Sequence, residues 1–300
     1  TALLADADGN GDNKISFVEF VKMTHKNKRS GVQSQLNSAI KKASGVVRTT
    51  GAGGASHTFS EEEKHAFAMH INQCLADDEL MARHMPLNIE SDDLFTKGTD
   101  GILFCKLINS AVADTIDERA INKKASLSIY QKIENLNLAL NAAKSIGCQI
   151  VNIGAQDLIE GRPILVLGIL WQIIKIQLLS KISLKNHPEI VLLLEADEEL
   201  LTFMKLPPEE ILMRWVNYHL TKANSSRRMS NFSSDIKDCE IYSILTNQLS
   251  PSQCSAATED NLNERASHIL RNADAIGANP FIAAKDILDG NKKLNLGFVA

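Results

Sequence analysis

The stretch that decides the fold is Asp-Gly-Ile-Leu-Phe-Cys-Lys-Leu-Ile-Asn at residues 100–109, because a second version of it follows further along the chain. That version reads Asp-Cys-Glu-Ile-Tyr-Ser-Ile-Leu-Thr-Asn at residues 238–247. Ala142-Ala143 with Ile146-Gly147 likewise return as Asn272-Ala273 with Ile276-Gly277, and Asp157-Leu158 return as Asp286-Ile287. A period of roughly 130 residues is too long for a solenoid unit, so the sequence predicts a duplicated domain. Two tethered copies of one module favour a binding protein, because catalysis rarely needs its whole scaffold twice.

Both copies are predicted to be helical. Apolar residues recur at spacings of 4, 3, 4 and 3 from Ile129 to Ala143, and Gly147 follows as a helix stop. Ser60 and Glu63 have the spacing of a capping box at the start of the first helix. No segment of either copy alternates polar and apolar residues as a strand does, so the fold class is all-α.

One segment is apolar enough to be mistaken for a membrane span. Residues 164–179 contain twelve large apolar side chains in sixteen positions. A span needs about 20 such residues, and Lys175 near the middle would cost roughly 2.5–3.5 kcal/mol in lipid. We therefore predict a helix that begins at Pro163 and is buried on most sides, with no membrane span.

The charge distribution argues against a nucleic-acid partner. Seven Lys/Arg and no acidic residue lie between Phe20 and Ser60, which leaves 25 basic and 36 acidic residues elsewhere, a net charge of −11. Phosphate neutralisation dominates nucleic-acid affinity, so these acidic repeats are poor candidates for it. The five scattered cysteines predict reduced core thiols in a cytosolic protein.

A calcium-binding loop is predicted near the start of the chain. Residues 8–19 fit the twelve-residue EF-hand pattern, with a carboxylate at the last position and a backbone carbonyl at the seventh. The predicted Ca²⁺ ligands are Asp8, Asn10, Asp12, Lys14, Ser16 and Glu19. A frame that starts at Asp6 restores glycine at the sixth position but places Phe17, which cannot ligate, at the last. An acidic turn without calcium is the alternative.

The following basic stretch has the pattern of a segment gripped by an EF-hand lobe. Val32, Leu36 and Ile40 recur every four residues beside Lys41 and Lys42, and calcium-opened lobes bind such amphipathic sequences. A frayed, solvated helix is the alternative. The stretch ends in a Gly/Ala-rich run at residues 51–56, which predicts a flexible tether.

Catalytic motifs are missing from the sequence, so we do not expect an enzyme. There is no HExxH, Walker or GxSxG motif and no zinc spacing of Cys and His. Carboxylate runs at residues 61–63 and 195–199 are interpreted as solvated first turns of helices. Arg227-Arg228-Met229-Ser230 resembles a phosphorylation site that follows basic residues, and a plain exposed loop is the favoured alternative.

Several long strings resemble one family. Residues 100–109 and 135–141 (Asn-Leu-Asn-Leu-Ala-Leu-Asn) resemble the calponin-homology signature. More specifically, residues 114–124 (Asp-Thr-Ile-Asp-Glu-Arg-Ala-Ile-Asn-Lys-Lys) and 166–176 (Val-Leu-Gly-Ile-Leu-Trp-Gln-Ile-Ile-Lys-Ile) closely resemble fimbrin/plastin, as do residues 231–238 and 294–300. The resemblance covers the whole chain, in the family's order.

The resemblance implies a domain organisation and a function. It implies the end of an EF-hand at 1–24, a basic linker at 25–58, and calponin-homology domains at 59–182 and 205–300, the second truncated in its last helix. Members of the family bind and bundle F-actin in the cytoplasmic actin cytoskeleton, and calcium weakens the crosslink. The chain is expected to be a monomer and a piece of a longer protein. Bundling is not expected of these 300 residues alone, since one compact site cannot bridge two filaments.

The resemblance also implies where actin would bind. The surfaces would be the helices at 60–75, 163–181 and 208–221, with a nearby loop. The contact residues would be Lys64, Lys123, Lys124, Lys175 and Lys181, whose charged ends are expected to reach solvent. Trp171 and Trp215 are expected in the core. His70 stands where the family usually has Trp, which leaves the packing of the first helix open. The linker around Lys41 and Lys42 resembles the segment that the chain's own EF-hand lobe holds.

Two other functions compete with filament binding. One is a calcium-sensing scaffold whose repeats dock a signalling partner other than actin. The other, microtubule binding, is disfavoured because proteins that bind microtubules through this module usually carry a single copy.

Overall fold

The structure, a computed structural model, describes residues 46–50, 56–278 and 280–300. The helices of the first repeat are α1 (Glu61–Cys74), α2 (Asp93–Thr96), α3 (Ile102–Ala111), α4 (Ile129–Ser145), α5 (Ala155–Ile159) and α6 (Pro163–Leu179). A 3-10 turn (Pro188–Leu193) and α7 (Leu200–Phe203) connect the repeats. The second repeat contains α8 (Pro208–Lys222), α9 (Glu240–Leu249), α10 (Leu262–Ala275), α11 (Ala284–Asp289) and α12 (Lys292–Val299). The prediction of an all-α fold with two helical repeats is confirmed.

The exception to this helical architecture lies before the first repeat, at the end of the predicted linker. Strands β1 (Val46–Thr50) and β2 (Ser56–Ser60) pair antiparallel, with Val46 opposite Ser60 and Thr50 opposite Ser56. Four of the five residues of β1 are valine or threonine, and β-branched residues favour extended backbone. The tether prediction did not anticipate this pairing.

Helix α6 is the centre of the first repeat, as its apolar sequence predicts. It contacts α1, α3 and α5, and Ile169, Leu170, Ile173 and Ile174 have no solvent exposure. Its first residue is Pro163, whose missing N–H is not needed at that position. Among the described helices, α6 included, none combines the length and hydrophobicity that a bilayer span requires.

The duplication extends to individual hydrogen bonds. In the first repeat, the Asn72 amide donates to the carbonyl of Leu87 at 2.9 Å and accepts from its N–H at 2.7 Å. In the second, Asn217 makes the same two bonds to Met229, at 2.8 and 2.7 Å. Each asparagine satisfies both backbone groups of one loop residue, and this fixes the loop against the first helix of its repeat.

The signature stretch begins with a left-handed residue in both copies. Gly101 has φ +81°, and a Cβ there would lie 2.7 Å from the Cβ of Asn135. The second copy places Cys239 in the same conformation, with φ +66°. Asn135 donates to the carbonyl of Asp100, whereas the longer Arg265 donates to the equivalent carbonyl of Asp238. The second copy thus keeps the bond and the backbone shape with different side chains.

The cysteines are all free, and four of the five are buried. Burial raises the pKa of Cys105 to about 12 and those of Cys148 and Cys239 to about 11. These thiols stay protonated at neutral pH and act as small apolar core residues.

The repeated Asp157 and Asp286 have the same backbone role in different surroundings. The Asp157 carboxylate accepts from the N–H of Gly154 at 2.8 Å and pairs with Arg162 at 2.8 Å. Asp286 accepts from the N–H of Ala283 at 2.9 Å, but only 4% of it is exposed. Burial, reinforced by nearby carboxylates, raises the pKa of Asp286 to about 7. The second copy therefore holds a carboxyl group that resists ionisation.

We expect Asp286→Asn to stabilise the protein more at pH 8 than at pH 5. The pKa of Asp286 is about 7 in the folded protein and 3.8 in the unfolded chain. Its contribution to the free energy of unfolding is therefore fully present below pH 3.8 and is lost as the pH rises through 7. At about 1.4 kcal/mol per pKa unit, we expect the gain at pH 8 to exceed that at pH 5 by roughly 2–3 kcal/mol. Urea unfolding at both pH values measures the free energies.

The matched control is Asp157→Asn, which removes the charge paired with Arg162. We expect it to destabilise the protein by about 0.5–1 kcal/mol at both pH values. Equal, pH-independent changes in the two variants would contradict the role assigned to burial at Asp286.

Candidate functional site

The three helices predicted to form the binding face meet around one cleft. Helix α1 packs on α6, and Lys175 on α6 forms an ion pair with Glu209 on α8. His70, Leu178 and Trp215, one from each helix, line a cleft of about 440 Å³. The structure therefore brings together segments from both repeats that lie far apart in the sequence.

Two ion pairs connect α1 to the second repeat. Lys285 Nζ lies 2.7 Å from Glu62 Oε1, and Lys293 Nζ lies 2.7 Å from Glu63 Oε2. Burial alone would raise the pKa of Glu62, but hydrogen bonds from Lys285 and Ser60 bring it below its ordinary value. Ser60 Oγ also accepts from the N–H of Glu63, so the helix cap and the contact between repeats share the same residues.

These ion pairs were not predicted from the sequence, and the expectation that residues 61–63 are solvated is wrong, whereas Glu195 and Glu199 of the second acidic run are exposed as expected. Residues 61–63 were expected to be solvated, but only 13% of the Glu62 side chain and 16% of the Glu63 side chain are exposed. In the second run, Glu198 is bound by Arg214 at 2.5 Å. Acidic residues are favourable in the first turn of a helix whether that turn is exposed or buried. The local sequence therefore gives no sign that Glu62 and Glu63 pair with lysines of the other repeat.

Apolar contacts close the same junction between the repeats. The ring of His70 packs edge-on against Phe281 of the second repeat, with centroids 5.4 Å apart. A Cβ added to Gly297 on α12 would lie 2.6 Å from Phe281 and 3.3 Å from Leu178. Glycine at this position therefore leaves room for the Phe281 ring and for Leu178 on α6.

His70 replaces a large ring without loosening α1. Its Nε2 lies 2.9 Å from Gln177 Oε1 and 3.3 Å from Cys74 Sγ, and Gln177 donates onward to Ser110 at 2.8 Å. Burial lowers the pKa of His70, so the ring is neutral at neutral pH. Helix α1 is thus packed at this position, where a polar cluster supplies partners to Nε2 of the buried imidazole.

The two tryptophans are only partly buried, in contrast to the expectation of core positions. Trp171 stacks on Phe67 with centroids 5.9 Å apart. Trp215 packs against the cluster formed by Phe203 and Ile211 near the connecting segment, and it also lines the cleft. Both rings combine packed contacts with partial access to solvent.

The expectation that Lys64 reaches solvent is wrong. Its side chain is 6% exposed, and Nζ lies 2.7 Å from Glu61 and 3.7 Å from Asp92. Lys64 lies on the side of α1 that faces the loop before α2, where two carboxylates neutralise it. It has no free charge to offer a partner.

The other predicted lysines are accessible to different degrees. Lys181 is exposed just beyond the end of α6, and Lys175 is 39% exposed although it is paired with Glu209. Lys123 and Lys124 are exposed, and their carbonyls accept from Arg83 at 3.3 and 3.1 Å. Lys123 Nζ also lies 3.1 Å from Glu118 Oε2. Among the described contacts, Lys124 and Lys181 have no ion pair, whereas the partly exposed Lys123 and Lys175 are each paired with a glutamate.

The predicted calcium and linker residues lie outside the described residues. The calcium set is Asp8, Asn10, Asp12, Lys14, Ser16 and Glu19, and the linker set is Val32, Leu36, Ile40, Lys41 and Lys42. Both remain predictions from the sequence.

Comparison with known proteins supplies the family context. The calponin homology (CH) domain model matches residues 61–178 and 206–300. The chain is 47% identical to fimbrin of Dictyostelium discoideum (98% of this chain, 50% of that one) and 46% identical to human plastin-1 (99% and 49%). The crystal structure of the actin-crosslinking core of Schizosaccharomyces pombe fimbrin is similar, with a TM-score of 0.71 and 43% identity over 80% of this chain and 49% of that one. This chain spans about half the length of these relatives.

We expect exchange of the charges of one inter-repeat pair to show that the repeats are joined there. Glu63→Lys or Lys293→Glu alone should lower the free energy of unfolding by about 0.5–1 kcal/mol, because each leaves like charges facing one another. The double variant should recover most of that loss. Urea unfolding measures stability, and hydrogen exchange of α11 and α12 locates the change.

The control for adding a lysine is Glu199→Lys, at an exposed position. There we expect a change in the free energy of unfolding of at most about 0.5 kcal/mol, as is usual for surface substitutions. A double variant that loses the sum of the two single losses would contradict the pairing.

Proposed function

We propose that this chain, which belongs to the fimbrin/plastin family of calponin-homology proteins, binds actin filaments through a face built by both repeats. The family consists of structural proteins rather than enzymes. Crosslinking into bundles belongs to the full-length protein, because bridging two filaments needs a second site. The alternative of a scaffold for a partner other than actin is not favoured.

The observation that carries the proposal is the convergence of α1, α6 and α8 around one cleft. A filament is a rigid, extended partner, so its binding face must be held in fixed geometry before contact. The Lys175–Glu209 pair and the two pairs from Glu62 and Glu63 provide that rigidity. Partly exposed rings such as Trp215 supply the apolar area that dominates binding interfaces.

Local basic spots support the same face. The part of the chain outside residues 20–60 carries a net charge of −11, so long-range attraction does not favour an acidic filament. Lys181, beyond α6, and Lys123 and Lys124, in the loop fixed by Arg83, are the exposed cations among the predicted contacts, and Lys123 would exchange its exposed pair with Glu118 for one with the filament. They would supply short-range pairs with acidic side chains of actin.

We propose further that calcium at residues 8–19 modulates filament binding and that the chain acts as a monomer within the cytoplasmic actin cytoskeleton. The support is the ligand pattern of the loop together with the basic amphipathic stretch that follows it. In this proposal the lobe holds its own linker around Lys41 and Lys42.

Cosedimentation with actin filaments tests the central proposal. We expect the chain to pellet with filaments at micromolar concentration and to stay in solution without them. Low-speed centrifugation should show no bundles, since this chain has one binding face. A chain that stays in the supernatant at saturating filament concentration would refute the proposal.

We expect the triple variant Lys123→Ala/Lys124→Ala/Lys181→Ala to bind filaments roughly 5–30-fold more weakly, on the basis of about 0.3–0.7 kcal/mol for each exposed charge pair. Its free energy of unfolding should change by at most about 1 kcal/mol, because these lysines lie at the surface and the Lys123–Glu118 pair that the variant removes is exposed. Lys144→Ala, an exposed position on α4, is the matched control and should bind as the parent does. If the triple variant and the control bound filaments with equal affinity, these lysines would not contribute to the interface.

We expect Glu19→Gln to weaken calcium binding by roughly tenfold or more, because it removes the bidentate carboxylate at the twelfth position. Calcium-free filament affinity should be unchanged. Titration calorimetry paired with pelleting measures both, and Asp6→Asn, outside the preferred frame, is the control. Equal losses of calcium and filament affinity would contradict a purely regulatory loop.

A further inference from the structure

The segment that follows α8 presents a serine and an arginine at the surface. Residues 225–231 form neither helix nor strand. Arg228 and Ser230 are exposed, while Met229 between them is 3% exposed and is held at both backbone groups by Asn217. Side chains that alternate in this way are typical of an extended chain lying on a protein surface.

The two arginines before Ser230 match the substrate specificity of one class of protein kinase. Arg227 and Arg228 precede Ser230 by three and two residues. Kinases whose peptide-binding cleft is lined by carboxylates select serines that follow arginines in this way. The reason is that a guanidinium group pairs with a carboxylate through two hydrogen bonds. The Arg228 guanidinium bonds only to the carbonyls of Ser225 and Arg227, at 2.8 and 2.6 Å, among the contacts described. A kinase carboxylate would therefore displace neutral acceptors.

We propose that Ser230 is a phosphorylation site for an arginine-directed protein kinase. Ser230 Oγ attacks the γ-phosphorus of Mg-ATP, and the bond from that phosphorus to the β-phosphate oxygen breaks to release ADP. The hydroxyl proton passes to the catalytic carboxylate of the kinase. The product is phosphoserine with a charge of about −1.5 to −2 at pH 7.

The acceptor hydroxyl holds a structural clasp together. Ser230 Oγ donates to Asp235 Oδ2 at 2.7 Å, and the Ser230 N–H donates to the same oxygen at 2.8 Å. Burial alone would raise the pKa of Asp235, but these bonds, with others from Ser234 and Asn231, bring it down to about 2. Asp235 is therefore a carboxylate at neutral pH.

Phosphorylation is incompatible with this clasp. A phosphate on Oγ has no proton to donate at that position and places two like charges at hydrogen-bond distance. The phosphate turns away from Asp235 toward the guanidinium groups of Arg228 and Arg227. In the unmodified protein, Arg227 binds Asp238 at 2.5 Å. Residues 231–235 lose the bonds from Ser230 to Asp235 and keep their internal bonds, such as that from the Asn231 N–H to Asp235.

The test is phosphorylation of the whole folded chain by the catalytic subunit of cyclic-AMP-dependent protein kinase with Mg-ATP, followed by mass spectrometry. We expect one phosphate, on Ser230, at a rate within tenfold of a peptide of residues 224–233. A peptide that is modified while the folded chain is not would overturn the proposal.

Three variants and one further measurement separate recognition from structure. Ser230→Ala should abolish incorporation, Arg228→Gln should slow it at least tenfold, and Ser226→Ala, at an exposed serine without arginines before it, should leave it unchanged. Amides of residues 231–235 should exchange at least fivefold faster in the phosphorylated chain. Unchanged incorporation in Ser230→Ala or Arg228→Gln would exclude the assigned site or its recognition, and unchanged exchange would exclude the clasp.

Discussion

The burial of α6 is the constraint on which the rest of the structure depends. The helix lies against α1, α3 and α5 of its own repeat, and α12 of the second repeat also contacts it. An all-round apolar helix cannot remain in water, so its neighbours must cover it. A Cβ at Gly297 on α12 would lie 3.3 Å from Leu178 on α6 and 2.6 Å from Phe281, so glycine suits this close contact. The placement of α1 and of α12 against α6 follows from this packing, and the Lys175–Glu209 ion pair adds α8 to the proposed binding face.

The parts of the fold that depend on local sequence could be predicted, and the parts that depend on distant contacts could not. The period of the repeats, the apolar spacing of α4 and the composition of α6 are all visible as patterns in the sequence, and the structure confirms the helices they indicate. The buried state of Lys64 depends on Asp92, and that of Glu62 depends on Lys285. Charged residues in a first turn look the same in a sequence whether they face water or another domain.

Comparison of the two copies shows which features of the module are required. The asparagine that fixes the loop is kept as Asn72 and Asn217, because its short amide offers a donor and an acceptor in the geometry that one loop residue needs. The left-handed start of the signature is kept although glycine is replaced by Cys239. Backbone shape is thus retained more strictly than residue type, and this is why the repeat is visible in the sequence only as scattered matches.

Where the copies differ, the difference lies at their junction or is explained by burial. His70 occupies the position of Trp215 and turns its ring toward Phe281 of the other repeat, whereas Trp215 packs on the connecting segment and lines the cleft. A tryptophan at position 70 would have to fit beside Phe281, where α12 already leaves no space for a Cβ at Gly297. The smaller, neutral imidazole places its Nε2 atom 2.9 Å from Gln177 and lets the second repeat approach α1. The difference between His70 and Trp215 is therefore accommodated by the contact between the repeats.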